Sequence, residues 1–361
     1  CCFDCKAFDV FHSCSISLCI ALLSGRSAES VSDICHIFRI TFRPCFRPVF
    51  VLQFILPGQA IHLRCDFKAT LACLAYMRNF MQRDTLLVPL ADFHTGSNLA
   101  LFPNRFWEGK NGVNHTPTST QEKIYQHFEI FCKTVLERRK DRRLIVVVDG
   151  DSIEGVHHTS IDVATRDLDE QQHLHIELID DFRKRVKWQR GDLLYYTRGT
   201  ELHTTEKENE IAMGAGAQQA ASGAYVYDHL ELNINGVLVW FVHHGPGAGK
   251  GANEGNNLRN WLKDIYWESI KAKSVAPDLT ITGHVHTPSY SSYIVHSGGK
   301  YRTMHGIILP SWQAKTRYAY KVAPVATNKI GGVTIVISAA GDIRTPNFVI
   351  AETESISTIA V

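Results

Sequence analysis

The sequence predicts an α/β protein whose strands deliver polar side chains at their C-terminal ends. Three observations predict it. Residues 144–148 (LIVVV) form a continuous apolar run, four of the five β-branched, as in a strand buried on both faces. That run stops at Asp149-Gly150-Asp151, and glycine lets the chain turn sharply so that Asp151 points beyond the strand end. Three further runs, residues 85–90, 237–242 and 279–282, end in Asp92-Phe93-His94, His243-His244-Gly245 and Gly283-His284-Val285-His286. Open α/β sheets place their sites at this edge.

The chain's 361 residues, 45% of them hydrophobic, suffice for one large or two ordinary domains. A net charge of +2 predicts neither a nucleic-acid coat nor an acidic surface, so charge says little about partners. Eighteen histidines say more, because imidazole is the commonest transition-metal ligand.

Of ten cysteines, nine (Cys1, Cys2, Cys5, Cys14, Cys19, Cys35, Cys45, Cys65, Cys73) precede Met77 and only Cys132 lies beyond it. A disulfide or zinc module would explain the excess, but the sequence holds a single CxxC, Cys2-Phe3-Asp4-Cys5, and no second pair at the spacing zinc modules show. Residues 15–23 resemble the apolar core of a signal peptide, without its basic flank, and are too short to span a bilayer. The preferred reading is that residues 1–76 are an extension foreign to the natural product. They begin with Cys, differ in composition from residues 77–361 and carry no evident helical or strand rhythm, whereas Met77 and Met81 stand just before the first regular strand. Residues 77–361 read as one domain.

Each element follows from local pattern. After the strand at 85–90, residues 96–114 are a polar connection. Residues 121–139 predict a helix, with Ile124, Phe128, Phe131 and Val135 at three- and four-residue spacing. Its basic end, Arg138-Arg139-Lys140, suits the helix dipole. Residues 162–187 predict a second helix with apolar Leu168, Leu174, Leu178 and Phe182, His173 and His175 being expected to face solvent. A short strand at 193–197 leads into Arg198-Gly199-Thr200-Glu201-Leu202-His203, and a helical stretch covers 206–221. Strands at 225–234 and 237–242 are joined by Asn235-Gly236, a strong two-residue hairpin signal.

Residues 245–257 are Gly- and Asn-rich. GPGAGKG there resembles a phosphate-binding loop, but it is one residue short and Gly251 stands where Ser or Thr is required. A surface loop, or one roofing the site, fits better. A helix at 258–271 comes next, then strands at 289–295, 301–309, 332–338 and 347–351.

Taken in order, Asp92-x-His94, Gly150-Asp151, the polar turn at Gly199, a strand-terminal His243 and Gly283-His284-Val285-His286 resemble the calcineurin-like metallophosphoesterase superfamily, over residues 86–286. The resemblance is to small, stand-alone members of the kind found in phages and bacteria, relatives of repair nucleases among them. It implies a four-layer sandwich, with two mixed β-sheets packed face to face and helices outside. It also implies two divalent metal ions, Mn(II) first, with Fe or Zn the other candidates. Asp92, His94 and His286 would bind one, His243 and His284 the other, and Asp151 would bridge them. His244 is the alternative to His243, or a substrate contact.

The family pattern departs at Gly199, where the usual Asn ligand is missing. Glu201 is expected to replace it, His203 to supply the catalytic imidazole, and Thr200 is a weaker candidate ligand. Glu154 is expected to hydrogen-bond ligand histidines, and His157 and His158 to be exposed or to reach substrate. Two such ions, about 3.5–4 Å apart, clamp the attacking and leaving oxygens of an in-line displacement at phosphorus and lower the pKa of bound water to roughly 7.

The expected activity is therefore a dinuclear-metal phosphoesterase, preferably a phosphodiesterase or nuclease on nucleic acid or a nucleotide, with Arg198 and Lys250 flanking the site. A phosphomonoesterase or protein phosphatase, and a non-catalytic metal-binding scaffold, are the alternatives. A cytoplasmic protein without membrane association is expected.

Overall fold

The computed structural model divides into two compact units, Cys1–Met81 and Gln82–Val361. It describes residues 15–20, 36–43, 49–56 and 59–65 in the first, and 83–156, 162–204, 207–249, 251–297, 299–316, 321 and 328–353 in the second. The first unit contains four strands, β1 (Ser15–Ile20), β2 (His36–Arg43), β3 (Val49–Leu56) and β4 (Gln59–Cys65), paired antiparallel in sequence order. A strand rhythm is present here and was missed: in β2, HIFRITFR, Phe38, Ile40 and Phe42 alternate with Arg39, Thr41 and Arg43, whereas β3, VFVLQFIL, is apolar at all but one position and shows none. Met77, Met81 and the cysteine side chains of this unit lie outside the described residues.

In the second unit, β5 (Thr85–Ala91), β8 (Arg143–Asp149) and β9 (Leu193–Thr197) run parallel, with the short β10 (Val226–Tyr227) parallel beside β9. A small hairpin, β6 (Trp107–Glu108) with β7 (Asn114–His115), lies between β5 and β8 in sequence. Beyond β5 the first sheet closes with antiparallel β16 (Asn328–Ile337) and β17 (Asn347–Thr353). The second sheet has the order β11 (Leu230–Ile234), β12 (Val237–Phe241), β13 (Leu279–Thr282), β15 (Lys300–Ile308) and β14 (Ser289–Ser297). There β12, β13 and β15 are parallel and the two edges antiparallel, so both sheets are mixed.

The period-2 alternation of strand side chains explains why the central strands are apolar throughout. On β5 and β8, Leu86, Val88, Leu90, Leu144, Val146 and Val148 pack outward. They meet Phe128 and Phe131 of α1 (Ser119–Arg139) and Leu178 and Phe182 of α2 (Leu168–Arg185). Their neighbours Leu87, Ala91, Ile145 and Val147 pack inward against Val239, Phe241, Ile281 and Ile307 of the second sheet. The outer face of that sheet is covered by α5 (Asn256–Lys271), with Leu258 against Ile308. Helices, sheet, sheet and helix thus stack as an α+β sandwich. Truncating Phe128 at this core would cost about 3–5 kcal/mol.

Local signals set the boundaries of α1. Thr118 and Gln121 form a reciprocal capping box, and Gln121 Nε2 also donates to the Ser97 carbonyl at 3.0 Å, tying the helix start to the loop after β5. Its last residue does more than complement the dipole. Arg139 is buried, pairs with Asp192 at 2.6 Å and donates to the carbonyls of Val186 and Lys187.

Two expectations need correction. The strand expected at 225–234 is two strands in different sheets, separated by a bend at Asp228 and His229 that no Gly or Pro announces. The helical stretch expected at 206–221 is shorter and starts earlier, as α3 (Glu201–Thr204) and α4 (Lys207–Gly214). The Asn235-Gly236 turn is as expected, both residues having positive φ, 54° and 88°. No helix among the described residues is long and apolar enough to cross a membrane.

Candidate metal centre

Because β5, β8, β9, β12 and β13 all point the same way within their sheets, their C-terminal loops converge where the inner faces meet. Backbone bonds lace the loops together. His94 N–H donates to the Asp151 carbonyl (2.9 Å), Thr95 N–H to Ser152 (3.2 Å) and Gly283 N–H to His243 (3.1 Å). The two sheets are joined at Asp92, whose carboxylate oxygens accept from the His284 N–H at 3.2 and 3.0 Å.

Left-handed backbone is concentrated here. Asp92, His94, Asp151, His284 and His286 have φ between 45° and 69°. Among the described residues the other non-glycine cases are Lys140, Lys187 and Lys273, which come just after helices, and Asn235 in the hairpin turn. Local turn chemistry explains those four, whereas the five loop residues hold a conformation that costs of order 1–3 kcal/mol each and persists only where the surroundings enforce it. Glycine is required beside them. A Cβ on Gly150 would strike the His243 ring and one on Gly199 would strike Asp151, so the turns can approach this closely only without side chains.

Among the described residues, four overlapping groups have ligand atoms within 4.8 Å of one another: Asp92, His94 and His286; His94, Asp151 and His203; Asp92, Asp151 and His243; and His243, His244 and His284. The orientation of each buried imidazole is fixed from behind. His243 Nδ1 bonds the Asp149 carbonyl (2.7 Å), His203 Nδ1 the Glu154 carbonyl (2.9 Å), and His94 Nδ1 faces Glu154 Oε2 (3.1 Å). Each Nδ1 held as a donor leaves Nε2 as a lone pair. The Nε2 atoms face one another and the carboxylates. His243 Nε2 is 3.1 Å from Asp151 Oδ2, His94 Nε2 3.2 Å from His286 Nε2, and His286 Nε2 3.2 Å from Asp92 Oδ1. Where an Nε2 lone pair faces a carboxylate, as at His243 and Asp151, a proton or a cation must lie between them, so the donor set could hold metal.

Protons are the other way to neutralise the set, and the titration directions reflect it. Burial disfavours the His243 imidazolium, but Asp151, Asp92 and Asp149 outweigh it and push His243 up to about 10. For Asp151, burial is outweighed by His243, His94 and His203, which hold the carboxyl far below its usual range. Asp92 is lowered in the same way, against burial, by His286 and His243. His203, His244 and His284 are all lowered, first by burial and then by neighbouring imidazoles.

The structure gathers Asp92, His94, Asp151, His203, His243, His244, His284 and His286 into one constellation. Glu201 is not among them: it begins α3, is exposed, and belongs to none of the four groups. Thr200 holds the inner position instead. Its N–H donates to Asp151 Oδ1 (2.6 Å), and its Oγ1 lies 3.2 Å from Asp151 Oδ2, 3.3 Å from His284 Nδ1 and 3.4 Å from His244 Nε2. The reason is Glu208 on α4, buried, whose two oxygens both accept from the Gly199 N–H at 3.0 Å and draw the turn inward at Thr200. Burial raises the Glu208 carboxyl to about 7, against the pull of that N–H.

Arg198 is exposed, and its guanidinium is committed to Asp228 at 2.5 Å. Glu154 meets its expected role at His94, supported in turn by Gln313 Nε2 at 2.9 Å, which the sequence did not flag. His157, His158 and Lys250 lie outside the described residues. His173 faces solvent as expected, but His175 is buried. The helical period carried that signal, since 175 falls on the stripe with 171, 174, 178 and 182.

No family model matches the chain, and no curated protein matches it.

Proposed function

We propose that the chain is a metal-dependent phosphoric ester hydrolase of the calcineurin-like metallophosphoesterase kind, acting on phosphodiesters of nucleic acid or nucleotides. The observation that carries this reading is Asp151, a buried carboxylate whose Oδ2 lies 3.1 Å from His243 Nε2 and 3.9 Å from His94 Nε2, between two histidine groups. A shared carboxylate between two imidazole clusters is the arrangement a dinuclear centre needs.

Asp92, His94 and His286 would hold one divalent ion, and His243, His244 and His284 the second, with Asp151 common to both. Such ions, Mn(II) first and Fe or Zn next, would supply Lewis acidity at a phosphoryl oxygen and a nucleophile at neutral pH. The remaining work falls to the chain. Glu154 and the Asp149 carbonyl orient His94 and His243, so their Nε2 atoms need not reorganise during turnover. His203, its Nδ1 held by the Glu154 carbonyl, offers its other nitrogen to a phosphoryl or leaving oxygen. Thr200 and His244 line the open side, where an ester would enter.

The test is Mn(II)-dependent hydrolysis of an aryl phosphodiester beside its monoester, by the full chain and by Asp151→Asn. Diester turnover that vanishes in the variant supports the proposal, and a monoester preference redirects it to phosphatases. Metal binding without turnover of either ester would leave a binding scaffold, the reading that the loss of an Asn ligand at Thr200 favours.

A further inference from the structure

His175 on α2 is fully buried, yet it belongs to no ligand group. Its Nδ1 lies 3.2 Å from Thr95 Oγ1 and its Nε2 3.1 Å from the Tyr196 hydroxyl. The Ser152 backbone is a further partner of the imidazole. The ring stands edge-on to Phe93, with centroids 4.9 Å apart. These contacts share one property. Phe93 lies between Asp92 and His94, Thr95 is next to His94, Ser152 is next to Asp151, and Tyr196 lies on β9 just before the turn that carries Thr200.

A histidine serving only as core filling needs two hydrogen-bond partners anywhere in the interior. His175 takes all of its partners from the three loops and strand ends that carry the centre. Those loops hold Asp92, His94 and Asp151 in left-handed backbone, which is uncommon for any residue with a Cβ, though Asp and His enter it more readily than most, and which the surroundings must maintain. Burial drives His175 down to about 3, so it is neutral at ordinary pH. Neutral imidazole has one donor and one acceptor, which suits two hydroxyls and a carbonyl at fixed positions.

We propose that His175 is a positioning residue that sets the spacing between the His94 and Asp151 loops, and through it the geometry of the metal centre. This rests on the metal reading of the site. It acts from outside the ligand set: replacing His175 removes no ligand atom but lets the loops relax.

The test uses the full chain and Mn(II) alone, by calorimetric titration and electron paramagnetic resonance, with thermal unfolding of the metal-free protein alongside. His175→Phe keeps bulk and burial but deletes the hydrogen bonds, and His175→Gln keeps one donor and one acceptor. The expected result is roughly 10–100-fold weaker Mn(II) binding and an altered resonance spectrum for the Phe variant, largely restored in the Gln variant. Should the Phe variant fail to fold, Thr95→Val and Tyr196→Phe each remove one partner and should weaken Mn(II) in the same direction. Wild-type affinity and spectrum in the folded variants would overturn the proposal while leaving the metal centre intact. Absence of Mn(II) binding by the wild-type chain would overturn the metal reading, and this proposal with it.

Discussion

The two halves of the centre are built differently. On one side Asp92 and His94 are almost completely buried and His286 half-buried, with a carboxylate in the ligand group and a second carboxylate, Glu154, behind it. On the other, only His243 is buried; His244 and His284 are exposed, and the group is all imidazole. A buried, anionic, preorganised site binds a cation with little rearrangement, whereas exposed neutral ligands must be collected by the ion. The two sites should therefore fill in order, the Asp92 side first, with Asp151 coupling them.

The largest effect that can break this comparison is Asp151→Asn. Loss of the shared charge should abolish binding of both ions, by more than the 10–100-fold typical of outer-sphere changes, as metal analysis after desalting would reveal. Next comes the pair that separates the halves. His244→Ala should reduce stoichiometry from two ions to one while keeping the tight site, and Asp92→Asn should remove the tight site; equal losses in both would contradict the asymmetry. Glu154→Gln should weaken only the tight site, by roughly 10–100-fold in a Mn(II) titration.

A smaller effect concerns the support behind the buried half. His175 has its folded pKa depressed to about 3 from the ordinary 6.5, so its contribution is fully present above pH 6.5 and is lost as pH falls toward 3. Urea unfolding of the metal-free protein should lose about 2 kcal/mol more between pH 6.5 and 5 in the wild type than in His175→Gln. Smallest of all, Glu201→Gln should leave metal stoichiometry and affinity unchanged, because its carboxylate faces solvent.

The ligands at strand ends were legible in the sequence, whereas most of the residues that steer and support them were not. Strand ends were readable because a strand buried on both faces must be apolar throughout, so the change to Asp or His marks where it leaves the core. Both halves of the centre lie on such changes, at Ala91-Asp92, Asp149-Gly150-Asp151, Val242-His243 and Thr282-Gly283-His284. The Gly199 turn was not legible: its direction is set by Glu208 nine residues later and by no local rule, so the acidic Glu201 looked the better ligand and Thr200 the weaker. His175 was misread for another reason: a polar residue on a helix suggests solvent, and its partners, Thr95, Ser152 and Tyr196, are far apart in sequence. The split of residues 225–234 between two sheets likewise depends on which neighbours each half finds.

Titration of the wild-type chain with Mn(II), monitored by electron paramagnetic resonance, tests the shared centre most directly. Two steps are expected, a tight ion with the signal of isolated Mn(II), then a weaker one that converts it to the signal of a coupled pair. Saturation at a single ion, or two ions that never couple, would contradict a centre shared at Asp151.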